Sequence, residues 1–315
     1  MREKPEHQTN VTPQKIIEDL WAARATQALV TGIELDVFTH ISAGKHTVKE
    51  IARAAKASDD GMERLLDALV GLGYLNKKKN RYGLKPIAEK FLISGKDSYI
   101  GDFTYETRLT WDGWSRLTEV IRSGRPVERV DSEESGREFF PKLVSAIFPL
   151  SFSAARAVVS ALSDKTRKKI KSMLDVAAGS GAWSLAFAER FGVASRYSYI
   201  EGNLRDLDFG SNRYDLIILG HIIHSEGEKW GRKLIKKSYR ALKDGGLLLI
   251  AEVIPNDART GPPIALIFSL NMLLYTNQGN VFTLREYKQW LKETGFKKIT
   301  TIEAPTPSPL ILATK

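Results

Sequence analysis

From Pro13 to about Ile41 the apolar residues Ile16, Ile17, Leu20, Trp21, Ala28, Leu29, Ile33, Leu35, Val37 and Phe38 recur at three- and four-residue intervals. That spacing predicts helix. "TVKEIARAAKASDDGMERLLDALVGLGYL" reads as two more helices, with Ser58 or Asp59 capping the second and Gly71 and Gly73 ending it. "YLNKKKNRYGL" follows as a hairpin with a basic tip, so the order is that of a winged helix. Residues 98 to 163 are helical in pattern and carry Trp111, Trp114, Phe139, Phe140, Phe148 and Phe152, with breaks at Gly124-Arg125-Pro126 and "VDSEESG". From residue 172 the pattern changes. The apolar runs "MLDVA", "YSYI", "YDLIILGH", "GLLLIAEVI" and "LILAT" read as strands, with helical stretches between several of them. Alternation of this kind predicts an α/β fold, a mostly parallel sheet covered on both faces. The expected domains are residues 1–97, 98–167 and 168–315. Ligands of such sheets bind beyond the carboxyl ends of the strands, which directs attention to the residues just after each strand.

With 315 residues, 43% hydrophobic and 27% charged, the chain has the make-up of a globular protein rather than a disordered or fibrous one. No run of eighteen apolar residues occurs and the polar start MREKPEHQTN has no hydrophobic stretch, so neither a membrane span nor a secretory signal is expected and the expected compartment is the cytoplasm. The absence of cysteine excludes a disulfide framework, a thiolate metal site and a cysteine nucleophile. A net charge of +10 suggests phosphate-bearing partners. Much of the excess, however, lies in the short runs Lys77–Arg81, Arg167–Lys171, Lys229–Lys237 and Lys297–Lys298, which read as solvated faces and turn tips.

Gly179 and Gly181 lie between the first apolar run of the α/β part and a helix starting near Ala182. Glycine there permits a tight turn and close approach of a ligand, whose polar atoms meet the free N–H groups of the helix start. This stretch, "LDVAAGSGAW", together with "YIEGN", "YDLIILGHIIHSE", "LKDGGLLLIAEVIPND", "LNMLLYTNQGNVFTLREYKQWLKETGF" and the closing strand, resembles the class I S-adenosylmethionine-dependent O-methyltransferases of the caffeate, hydroxyindole and polyketide-tailoring type. The resemblance covers nearly the whole chain. It implies a Rossmann-like methyltransferase sheet preceded by a winged-helix domain that forms a homodimer. S-adenosyl-L-methionine would be the cofactor, held by Asp175, Gly179, Gly181, Glu201, Asn203, Leu204 and Gly220.

In this family a histidine just past the strand serves as catalytic base, and His224 matches it. The chemistry wants a group that titrates near neutrality and is hydrogen-bonded to the acceptor hydroxyl. His221, three residues earlier, is read as structural. Glu252 ends the next strand and matches the family glutamate that orients the histidine; a second family glutamate falls here at Val281 or a neighbour. Two histidines with no acid or cysteine set nearby in sequence make a poor metal site, so no metal is expected. Phe268, Asn271, Met272 and Tyr275 form an apolar wall with one amide, which suits a flat aromatic acceptor.

The cofactor half is short. Only "SRYSYIEGN" separates the first helix from Asn203, so about one strand-helix unit of the family pattern is absent. By position "YSYI" is expected beside "MLDVA", which would bring Glu201, twenty residues after Gly181, to the cofactor ribose. Two alternatives stand beside an active enzyme. One is a folded dimeric member with impaired cofactor binding. The other is a winged-helix DNA-binding regulator with a ligand-sensing domain, although the second helix, Gly61 to Leu72, is leucine- and alanine-rich with Glu63 and Asp67, so nucleic acid is not the expected partner.

Overall fold

The computed structural model describes residues 11–130, 133–191, 198–304, 306 and 308–315, in two compact units, Met1–Thr104 and Tyr105–Lys315. In the first unit, α1 (Gln14–Glu34) and α2 (Val37–Ser42) are separated at Asp36, which takes a left-handed conformation. α3 (Val48–Ala55) starts at a capping box between Thr47 and Glu50. α4 (Asp59–Gly71) is capped by the Ser58 hydroxyl, which accepts from the Gly61 amide. The hairpin is β1 (Leu75–Lys78) and β2 (Arg81–Leu84), followed by α5 (Pro86–Phe91). Phe38, Ile51, Leu66, Leu69, Leu75 and Tyr82 form its core. Along α1, by contrast, Ile16, Ile17, Leu20 and Trp21 are exposed. At the hairpin, Lys77 is paired with Asp67 at 2.7 Å.

The second unit opens with the helices α6 (Thr104–Ser115), α7 (Leu117–Ser123), α8 (Glu133–Ala146), α9 (Phe148–Ala161) and α10 (Asp164–Lys169). The sheet uses β3 (Met173–Val176), β4 (Tyr214–Gly220), β5 (Leu242–Ala251), β6 (Lys297–Ile302) and β7 (Leu310–Thr314) in the order β3-β4-β5-β7-β6. β3, β4 and β5 are parallel, while β7 is antiparallel to both β5 and β6. Connecting and flanking helices are α11 (Ala182–Phe191), α12 (Ile223–Ala241), α13 (Pro263–Tyr275) and α14 (Leu284–Thr294).

Side chains alternate across a strand, and β4 shows the consequence. Ile217 and Leu219 face a core with Leu234 and Ile235 of α12 and Tyr287, Trp290 and Leu291 of α14. Leu216 and Ile218 face a second core with Ala154 and Val158 of α9 and Trp183 and Phe187 of α11. Both faces are therefore covered, as the continuous apolar runs require. No single helix among the described residues is long and apolar enough to cross a membrane.

Two strand expectations are corrected. "YSYI" is not a strand among the described residues: Ser198 to Ile200 are irregular, with Tyr199 88% and Ile200 59% exposed. β3 pairs instead with β4, Asp175 opposite Ile218. A further strand outside β3 would need cover on both faces, but α11 is already packed on α9 and the sheet interior. Conversely, "KKITTI" forms β6, which the charge of Lys297 and Lys298 had disguised as a solvated turn. Its exposed lysines and threonines suit the edge of a sheet.

Candidate active site

The carboxyl ends of β4 and β5 bring together three residues spread over 32 positions. A carboxylate oxygen of Glu252 (Oε2) lies 2.6 Å from His224 Nδ1. Its other oxygen, Oε1, accepts from the amides of Ile223, at 2.7 Å, and His224, at 3.3 Å. Glu252 thus caps the first turn of α12 from the neighbouring strand, serving helix N–H groups that have no partner within the helix. The carboxylate is buried. Burial pushes its pKa up, but the adjacent His224, its hydrogen bond, His221 and the Ile223 amide together hold it below the ordinary value. His221 is the third member: its ligating nitrogen, one from His224 and a Glu252 oxygen lie within 4.8 Å of one another. The acid expected at the end of the next strand thus stands beside both histidines, although it lies 28 residues from His224 in sequence. Both Glu252 oxygens, however, are already engaged by the ring and the helix start.

The helix that carries His224 is broken one turn in. Gly227 has φ 74° and ψ 178°, outside helical geometry. A Cβ there would overlap the Gln278 carbonyl oxygen. The segment after α13 packs into this break: the Asn280 amide donates to the His224 carbonyl at 2.8 Å, and a Cβ on Gly279 would stand 2.7 Å from that oxygen. Gly227 and Gly279 let two backbones approach closely and fix His224 from behind. Neither was singled out in the sequence, although Gly227 three residues after His224 was the available signal.

The acceptor-wall residues divide. Phe268 meets the His224 ring edge-on, with centroids 5.0 Å apart. Asn271 accepts from the Trp114 indole at 3.2 Å, leaving its NH₂ without a described partner. Met272 is buried. Tyr275 packs with Val120, Val130 and Leu274, and its hydroxyl donates to the Thr110 carbonyl at 2.8 Å. Burial pushes that hydroxyl up to about 12, and these contacts leave its ring and oxygen engaged in packing. Val281 is fully buried and carries no charge to replace the second glutamate.

At the end of β3, Gly179 and Gly181 take φ of 56° and 72°, the left-handed region that favours glycine. A Cβ on Gly179 would come within 3.0 Å of Val144. The chain thus turns tightly from β3 into α11, a helix start whose N–H groups favour polar ligand atoms. Gly220 leaves space for the Trp183 indole, whose nitrogen would be 2.7 Å from an added Cβ. Asp175 accepts from both the hydroxyl and the amide of Ser184, at 2.7 and 3.1 Å. Burial raises its carboxyl to about 6 against those bonds. A raised folded-state value means that the stability contributed by the protonated acid is present below the unfolded value of 3.8 and lost as pH rises to about 6. Asp175→Asn is expected to flatten that loss, so that thermal unfolding at pH 4 and pH 6.5 shows the variant gaining on the parent; an unchanged difference contradicts it.

The remaining cofactor candidates lie apart from this loop in secondary structure. Glu201 is exposed and irregular. Asn203 is folded into a turn, its side chain accepting from the Arg205 amide at 2.9 Å, and the Leu204 carbonyl is held by Lys237 at 3.0 Å. The pairing that was to bring Glu201 beside β3 does not occur among the described residues, where β3 is an edge strand.

Residues 19–94 match the O-methyltransferase dimerisation domain, and residues 184–297, which include His224 and Glu252, match the O-methyltransferase domain. The chain belongs to the O-methyltransferase family. Among its relatives, the 3-hydroxy-5-methyl-1-naphthoate 3-O-methyltransferase of Streptomyces sahachiroi is 27% identical, covering 90% of this chain and 89% of that protein. The tetracenomycin polyketide synthesis 8-O-methyl transferase TcmO of Streptomyces glaucescens is also 27% identical, over 96% and 97%. Human N-acetylserotonin methyltransferase, solved with S-adenosylmethionine, shares the fold at a TM-score of 0.80 and 21% identity, covering 98% and 99% of the two chains. The enzyme is an S-adenosyl-L-methionine-dependent O-methyltransferase. Neither the DNA-binding alternative nor the impaired-cofactor alternative draws support from these relatives.

Proposed function

We propose that this O-methyltransferase methylates a hydroxyl group of a small aromatic or polyketide-like molecule, with His224 as general base and Glu252 as its orienting partner. The observation that carries this reading is the His224–Glu252 contact at the ends of β4 and β5, with Phe268 edge-on to the same imidazole. Glu252 holds the proton on Nδ1, which leaves the Nε2 lone pair to take the acceptor proton. The carboxylate also stabilises the imidazolium that results. S-adenosyl-L-methionine supplies an electrophilic methyl group when bound, and Asp175, Gly179, Gly181 and Gly220 are the residues proposed to shape its site. Phe268, Asn271 and Met272 form the acceptor wall; a ring of this shape buries one aromatic face and leaves the hydroxyl for the histidine.

Residues 1–97 act as the dimerisation domain, 98–167 supply pocket helices and 168–315 the catalytic domain. The exposed Ile16, Ile17, Leu20 and Trp21 of α1 suit a homodimer, in which that apolar face is covered. The test is incubation with methyl-labelled S-adenosylmethionine and a panel of hydroxyarenes and phenolic polyketides, read as label in an O-methyl ether by mass spectrometry. Label appearing only on nitrogen or carbon rejects the reading.

A further inference from the structure

His221 stands one residue beyond β4, at the edge of the sheet where ligands bind. Its backbone is left-handed, with φ 56°, a conformation that side chains other than glycine seldom adopt. The strain is held in place because the His221 amide donates to the Ala251 carbonyl at 2.8 Å, prolonging the β4–β5 ladder past the end of the strand. The fold thereby points a bulky imidazole where a small residue would suit the backbone better. That ring lies 6.1 Å, centre to centre, from His224.

The ring does no structural work that would account for this. Neither nitrogen has a hydrogen-bond partner among the described residues. Nor is either among the fully enclosed polar side-chain atoms left without a partner, which among the described residues are the hydroxyls of Ser238 and Tyr287. Buried polar groups are nearly always satisfied, so unpartnered nitrogens that keep some access are available to a ligand. Burial lowers the His221 pKa, with Glu252 opposing and His224 adding to the effect. The ring is then neutral and offers one N–H donor. Because hydrogen bonds reach about 2.8–3.0 Å, the separation of the two rings accommodates oxygen atoms touching both.

We propose that His221 is a second acceptor contact, donating a hydrogen bond to an oxygen carried next to the reacting hydroxyl, so that the enzyme selects acceptors with two neighbouring oxygens. This rests on the reading of His224 as the base at an acceptor hydroxyl. His221 is then a specificity residue: it reads the neighbour of the group that His224 deprotonates.

The test compares one ring system with a single hydroxyl against the same ring with an ortho-hydroxyl, using the full-length enzyme, with both kcat/KM and calorimetric affinity measured. The parent is expected to favour the two-oxygen acceptor by about tenfold or more, the scale of one hydrogen bond to a buried polar group. His221→Phe is expected to reduce that preference to within about threefold, whereas His221→Asn, which tolerates the left-handed backbone and keeps a donor, retains part of it. Equal losses on both acceptors, or no preference in the parent, overturn the proposal. Because affinity is read separately from turnover, a parent that binds the two-oxygen ring more tightly through His221 yet transfers no methyl group leaves the contact standing and removes the proposed reaction instead.

Discussion

His224→Ala is expected to lower kcat by about two to four orders of magnitude, the range that a positioned general base contributes, with thermal stability close to that of the parent. Glu252 offers the sharper comparison, because its two oxygens do different things. Glu252→Gln keeps an acceptor for the Ile223 and His224 amides, but it can turn its NH₂ toward Nδ1 and so favour the tautomer with the proton on the wrong nitrogen. Its kcat is expected to fall by at least about tenfold with little change in melting temperature. Glu252→Ala also leaves the buried amide of Ile223 without its partner, which costs about 1–3 kcal/mol. Residues that act as a unit are not additive, so the double variant His224→Ala/Glu252→Gln is expected to be no slower than His224→Ala alone. Additive losses, or a Glu252→Gln enzyme within twofold of the parent, exclude the pair as a catalytic unit.

The second large effect comes from a residue with no side chain. Gly227→Ala places a methyl group against the Gln278 carbonyl oxygen at a left-handed backbone position. Strain and overlap together are expected to cost about 2–4 kcal/mol of stability. The displaced segment includes Asn280, whose amide holds the His224 carbonyl, so kcat falls as well. Gly71→Ala is the control. Nothing lies within 4 Å of a Cβ there and the residue is helical, so it is expected to be neutral or stabilising by up to about 1 kcal/mol. A Gly227→Ala enzyme that unfolds with the parent and turns over at the parental rate contradicts the account of how His224 is held.

Much of the architecture could be read from periodicity. The helices of the first unit, the Ser58 cap and the basic hairpin are local features, decided within a few residues. β4 and the apolar part of β5 were equally legible because strands buried on both faces need unbroken apolar runs. The strand that failed, "YSYI", had the same local appearance. What it lacked was cover, since Tyr199 and Ile200 face solvent and α11 is packed on α9. β6 failed in the opposite direction, because an edge strand tolerates the lysines and threonines that look like a loop.

The sequence by itself determined the family, the glycine turn between β3 and α11, and the pairing of His224 with Glu252, because each depends on residue types at the ends of predictable strands. Only the tertiary structure decided that the Glu252 carboxylate also caps α12, that Gly227 and Gly279 brace His224 from behind, that the Tyr275 hydroxyl is bonded to Thr110, and that His221 lies beside His224 and Glu252. It also removed the strand that would have carried Glu201 to β3. The physical reason is range. Propensity and periodicity act over a few residues, whereas these contacts join positions 28 to 56 apart, or farther, and depend on which backbones can approach closely enough to touch.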